Sequence, residues 1–371
     1  KMKNYFNYCI IILLIGCTDS NQFDYEKKVI QEDSIVIDVP SSIPKFNSSE
    51  PWSLNQGKFS FSYEKQNAST IYTYDFYDES WSSKKYTHPD GNGIISDAHF
   101  ILSDSLNIFN PVKAKNNLLF FKNDSLAKKV KLNDVNKLVN DYSFLPELDS
   151  KNHFQVKDKK LFFPVLTTLR IEPENLKERK LFGIYDLEKH RTSFYGSFPK
   201  NFTDYSNLLI NNIKKNIAIG KSNILINFPK LPFLLVYNQE GKFIKKVNCQ
   251  NDNIVNLELI DSNAKVKQSV KNYLSGNYNK VVYNQQKNVF YRVSTYFKGY
   301  KKLSLKQLTK KGFKLKRTRI HVLNDDFETI AINDFKGLNE SFIALLDNEL
   351  LIMSGYDQPD KLIFKRFQLS N

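Results

Sequence analysis

Cysteine is scarce here: three in 371 residues, too few for a disulfide-knit scaffold. Histidine is scarce too. His88, His99, His153, His190 and His321 are scattered, none at the HxH or HExxH spacing of a metal site, so no resident metal or cofactor is expected. Acidic residues are in deficit, 39 against 54 Lys and Arg, for a formal charge of +15. Such a surface could draw anionic glycans or lipid head groups. However, glycine is low at 13 while Lys, Asn, Ile, Phe and Tyr abound, the pattern of codon drift in an A/T-rich genome, which would raise the charge without any partner.

Long apolar runs are also lacking, with one exception at the start. Lys1 and Lys3 precede Ile10–Ile15, and Gly16 and Cys17 follow, the order of a secretory signal too short to span a bilayer. Leu14-Ile15-Gly16-Cys17 resembles the bacterial lipobox, which implies lipid on Cys17 and cleavage before it. A plain signal peptide or a short anchor helix are the competing readings. The chain opens Lys-Met, and Met2 is the expected start. Cys9 would leave with the signal, so Cys249 in "KKVNCQ" is the thiol that remains. Lys245 and Lys246 lend it charge, but no histidine is near in sequence to act as base.

Residues 1–16 are thus expected to be a lipoprotein signal, 17–45 a tether and 46–371 one β-propeller. The tether is polar, carries Pro40 and Pro44, and contains one strand-like island, "SIVIDV" (Ser34 to Val39). Beyond it the hydrophobic pattern has period two in short bursts between turn residues, an all-β signal. Hairpins are read at "TIYTYDFYDESWSSKKYTH", "NLLFFKNDSLAKKVKL", "KLFGIYDLEKHRTSFYG", "FLLVYNQEGKFIKKV" and "KLSLKQLTKKGFKLKRTRI", with turns near 79, 123, 188, 240 and 310. Tyr74-Asp75, Tyr185-Asp186 and Tyr237-Asn238 end three of the first strands, where an Asp or Asn can start the turn. Four of the hairpins follow another strand pair, giving four strands about every 58 residues, the arithmetic of a propeller blade.

The last repeat supplies three strands, "FIALLDNELLIM" and "KLIFKRFQL", then stops. A bare sheet edge is a liability. The island "SIVIDV" is the expected filler, which gives six four-stranded antiparallel blades closed by an N-terminal strand. Stacked sandwiches are the alternative. "SNAKVKQSVKNYLSG" shows helical spacing at Val266, Val270, Tyr273 and Leu274, so one short helix is expected between blades four and five.

At "GNYNKVVYNQQKNVFYRV", together with the lipobox and the repeat, the chain resembles a family of uncharacterised lipoproteins from Bacteroidetes-type bacteria, a domain-of-unknown-function family. The resemblance spans nearly the whole mature chain through loose motifs. It implies a six-bladed propeller and an envelope address, and no activity.

Few residues suggest chemistry. His88, Asp90 and Asn92 in "THPDGNG" could hold a cation, yet a tight turn needs the same residues. Arg292 in "FYRV" faces away from Val289, Tyr291 and Val293, toward an ion pair or a ligand. Lys298 to Arg319 holds ten Lys or Arg and no acid. Alternation in "FKLKR" sets Phe313 and Leu315 against Lys314 and Lys316. Lys301, Lys302, Lys306, Lys310, Lys311, Lys314, Lys316, Arg317 and Arg319 therefore read as the solvated side of an outer hairpin, with an anionic partner as the sharper alternative. No interleaved aromatic platform supports nucleic acid. Asp-Ser-Ile/Leu triplets at Ser34, Ser105 and Ser125 are similar to O-glycosylation acceptors in such bacteria. The expected function is a lipid-anchored envelope module, periplasmic or surface-exposed and on the outer membrane first, that binds a protein or glycan without catalysis. An envelope hydrolase or lyase acting on a polymer stays open, because fold does not settle function.

Overall fold

A computed structural model describes residues 25–46, 52–65, 68–86, 98–101, 107–111, 117–122, 125–131, 144–146, 154–167, 179–199, 214–254, 276–298, 315–336, 338–354 and 360–370. All elements among them are strands, arranged in six antiparallel sheets. The N-terminal strand β1 (Val29–Asp38) precedes blade one, which is β2 (Trp52–Asn55), β3 (Lys58–Lys65), β4 (Ala68–Asp75) and β5 (Ser80–Tyr86). Blade two is β6 (Ala98–Ile101), β7 (Asn107–Pro111), β8 (Asn117–Lys122) and β9 (Ser125–Lys131). Blade three holds β10 (Phe144–Pro146), β11 (Gln155–Lys157), β12 (Lys160–Thr167), β13 (Phe182–Asp186) and β14 (Arg191–Tyr195). Blade four is β15 (Asn216–Ile219), β16 (Asn223–Asn227), β17 (Phe233–Asn238) and β18 (Phe243–Asn248). Blade five is β19 (Asn277–Asn284), β20 (Val289–Phe297), β21 (Lys316–Asn324) and β22 (Thr329–Lys336). Blade six comprises β23 (Asn339–Leu346), β24 (Glu349–Met353) and β25 (Lys361–Leu369), with β1 at its edge. The protein is a six-bladed β-propeller.

β1 runs antiparallel to β25, Ile37 opposite Leu362 and Ile35 opposite Phe364, with a bulge between Gln31 and Ser34. Its alternation sorts the side chains: Ile37 is fully buried while Val36 is about half exposed. Lys365 Nζ donates to Ser34 Oγ at 2.7 Å, so this hydroxyl already serves the strand pair. Ser105 lies outside the described residues, and Ser125 opens β9.

Blade three departs from the repeat. Both β10 and β11 pair with β12, at Val165–Thr167 and Lys160–Phe162, so the first strand of this blade is split. Pro164 sits at the gap. Having no N–H, it could not donate to a continuous neighbour.

The turns show why the hairpins fold where they do. Asp75, Asp186 and Asn238 each accept main-chain N–H bonds through Oδ1 from residues two to four positions on. Asn284 and Asn324 do the same. Residues 299–314 lie outside those described, and the last hairpin of blade five, expected to turn near residue 310, is formed by β21 and β22 with its turn at Asn324. Leu323 stands there where the other four turns have a tyrosine. The span 263–275 expected to be helical lies outside the described residues, as do Cys17 and the His88–Gly93 loop.

Aromatic residues fill the spaces between blades. Where blades six and one meet, Trp52 stacks on Phe342 with ring centroids 4.0 Å apart, and Phe59 meets both Phe342 and Phe364 edge-on.

Candidate functional site

The first strands of five blades, β2, β11, β15, β19 and β23, surround a cavity of about 310 Å³. That lies at the lower end of the about 300–1,000 Å³ usual for ligand pockets. Its wall is apolar at Leu54, Phe154, Ile217, Val282 and Ile343, and Pro164 reaches it through the gap in blade three. Ser53, Asn55, Gln155, Asn216, Lys280 and Tyr283 are its polar members. Among the described lining residues Lys280 is the one charged side chain, and none is a carboxylate.

Two of the amides are committed to structure. Gln155 Nε2 donates to Ile217 O at 2.6 Å while its Oε1 accepts from Ile219 N, joining β11 to β15 as a backbone ladder would. Asn216 repeats the device one blade on, bonding both the carbonyl and the N–H of Val281. Lys157 Nζ, like Gln155, ties blade three to blade four, at the carbonyls of Gly220 and Lys221. Lys280 is nine-tenths buried and follows a register shift at Asn279, and its Nζ lies 5.1 Å from the centre of the Trp52 ring.

Arg292 does not reach this cavity. It is buried at 1 % exposure between blades four and five, and its guanidinium forms hydrogen bonds rather than the expected ion pair. Nε donates to Asn227 Oδ1 at 2.9 Å, Nη1 to Cys249 O at 3.0 Å and Nη2 to Leu231 O at 2.6 Å. The guanidinium plane covers the Tyr278 ring at 3.7 Å. Burial pushes the Cys249 thiol up, so it stays protonated and is no nucleophile. His321 pairs with Arg292 across β20 and β21, and burial first, then the charges of Arg292 and Arg319, hold it down at about 3. It is neutral and bonds Thr329 at 2.6 Å.

The basic run is corrected where it is described. Lys316 opens the third strand of blade five, not an outer one, and is 5 % exposed, so it does not face solvent. Arg317 Nη1 donates to the Lys316 carbonyl. Arg319 is engaged by Asp334 through two bonds of 2.8 and 2.9 Å. Lys301, Lys302, Lys306, Lys310, Lys311 and Lys314 lie outside the described residues. No group of three or more His, Cys, Asp or Glu side chains able to hold a metal occurs among the described residues.

The cavity residues were missed because each reads locally as an ordinary strand position. The available signal was an amide or lysine recurring in the first strand of successive repeats, at Gln155, Asn216 and Lys280.

No protein-family model matches the chain, and no curated protein matches it in sequence. Solved structures do. A member of the DUF4221 family from Bacteroides vulgatus superposes with a TM-score of 0.64 at 15% identity, covering 94% of this chain and 99% of that one. In fold, the chain is similar to a DUF4221 protein. A second neighbour, a candidate exported protein from Bacteroides fragilis, gives a TM-score of 0.51 at 10% identity over 92% of this chain and 96% of that one. At these identities the likeness is one of fold.

Proposed function

We propose that this chain is an envelope lipoprotein, held by lipid on Cys17, whose propeller binds a small ligand in its central cavity without transforming it. The observation that carries the binding reading is the lining itself. Five blades deliver amides, a hydroxyl and a buried lysine to one concave space. That set can orient a ligand by hydrogen bonds and charge. Cleavage of a glycan would call for two carboxylates at a fixed separation. The address follows from the lipobox, and export of the Bacteroides fragilis neighbour is in keeping with it.

Ala344→Trp would fill the cavity from β23, where Ala344 is buried. Wild-type protein incubated with envelope extract should retain compounds, read by mass spectrometry, that the Ala344→Trp variant does not. Identical retention by the two proteins would refute the cavity as the site, and chemical conversion of a retained compound would favour the enzyme. Separately, Cys17→Ser should abolish incorporation of labelled palmitate and release the protein from the membrane fraction.

A further inference from the structure

We infer that the propeller stands on the membrane by the rim of blades five and six, a lipid surface being the partner of that flank. This rests on the lipid anchor at Cys17 and adds which side of the ring the anchor holds down. The described chain begins on this rim. Lys28 N donates to Ser370 Oγ at 2.9 Å, and Ser370 N donates to the Lys28 carbonyl at 2.8 Å, just past the end of β25. Val29 N donates to Asn333 Oδ1 at 2.7 Å, which ties the same segment to β22, the last strand of blade five. Upstream, Tyr25 stands within range of the charge of Arg319 on β21. Contacts to two blades thus fix where the chain leaves the body.

The distance left to the anchor is short. Tyr25 lies eight residues beyond Cys17, and eight residues reach at most about 29 Å whatever their conformation. A single domain of this length is about 50 Å across. With the acyl chains of Cys17 in the bilayer, the exit at Tyr25 cannot point away from it, because that would need a span as wide as the domain itself. Blades two and three, across the ring from five and six, therefore face away from the membrane. β1 and β22 are the outermost strands of their blades, so the contact is with the rim of the ring and not with one of its ends. A propeller standing on its rim keeps both ends of its central cavity clear of lipid.

The test measures energy transfer from a fluorophore on one introduced cysteine to rhodamine-labelled lipid, with the lipidated protein in vesicles of phosphatidylethanolamine and phosphatidylglycerol. Cys249 is buried at 2 % exposure and the Cys17 sulfur is acylated, so the label goes to the new site. Lys336→Cys on β22 and Lys129→Cys on β9 of blade two both alter exposed positions. Transfer from position 336 should be threefold or more faster than from position 129. Inserting about thirty Gly/Ser residues after Ser20 should bring the two rates together while palmitate label and vesicle attachment are kept. Equal rates without the insertion, or the reverse order, in palmitate-labelled and vesicle-bound protein would overturn the inference and leave the anchor standing. A protein that takes up no palmitate and binds no vesicles would overturn the anchor, and the inference with it. A threefold difference that survives the insertion would overturn the short span from Cys17 as what holds the flank down.

Discussion

The guanidinium of Arg292 and the main-chain carbonyl of Cys249 meet at 3.0 Å, joining blade five to the end of blade four's last strand. Three further bonds run to Asn227, Leu231 and Phe233. One side chain of blade five thereby satisfies three buried carbonyls and an amide oxygen of blade four. Arg292→Ala should lower unfolding stability by about 3–5 kcal/mol, read from urea midpoints. Arg292→Lys should recover little, because a point charge cannot span the four acceptors. A loss under 1 kcal/mol in the alanine variant would show that water replaces the guanidinium.

The pairing of β1 with β25 is proposed to hold the ring shut. Ile37→Ala should cost about 2–4 kcal/mol, since Ile37 is fully buried in the cluster with Phe364 and Leu351. Val36→Ala, about half exposed on the same strand, should cost under about 0.5 kcal/mol. Replacing Ser34 to Val39 by a Gly/Ser segment should lower the melting temperature and promote aggregation through the open edge of β25. An unchanged melting temperature would leave β1 as an ornament on a ring closed by other contacts.

Lys230, in the turn between β16 and β17, donates to the Gly276 carbonyl and is 8 % exposed. Burial holds its ammonium down at about 7 from the usual 10.5. Between those values the unfolded chain binds a proton that the fold does not, so stability should rise as pH climbs from 7 toward 10.5. Lys230→Met should flatten that slope and raise stability at pH 7 by about 1–3 kcal/mol. Parallel melting curves for the two proteins at pH 7 and pH 9.5 would contradict this assignment.

Asn238 accepts the Lys242 N–H at 2.7 Å, and Asn324 accepts the Glu328 N–H at 2.8 Å. Asn238→Ala and Asn324→Ala should each cost about 1 kcal/mol in urea unfolding. Asn238→Asp should lose less, because a carboxylate accepts the same bond, whereas Asn324→Asp should lose as much as the alanine variant, because the Asn324 amide also donates to Glu328 Oε2 at 3.0 Å. Equal losses in Asn238→Ala and Asn238→Asp would mean that this turn does not depend on the side-chain oxygen.

Local chemistry decided what the sequence could reveal by itself. Period-two alternation and Asx residues at Asp75, Asp186 and Asn238 act over a few residues, so the all-β class, the blade repeat and four of the five hairpins could be read directly. The fifth hairpin was misread because "FKLKR" alternates like an outer strand, while the turn at Asn324 lacks the tyrosine of its counterparts. Lys316 is buried because its strand lies third in the blade, with β20 on one side and β22 on the other. Only the tertiary structure decided that. Likewise the cavity joins Trp52, Gln155, Asn216 and Lys280 from four blades, separated by up to 228 positions in the chain but gathered around one axis. Alternation tells each residue which face of its own sheet it occupies, and the closing of six sheets into a ring determines which residues share a space.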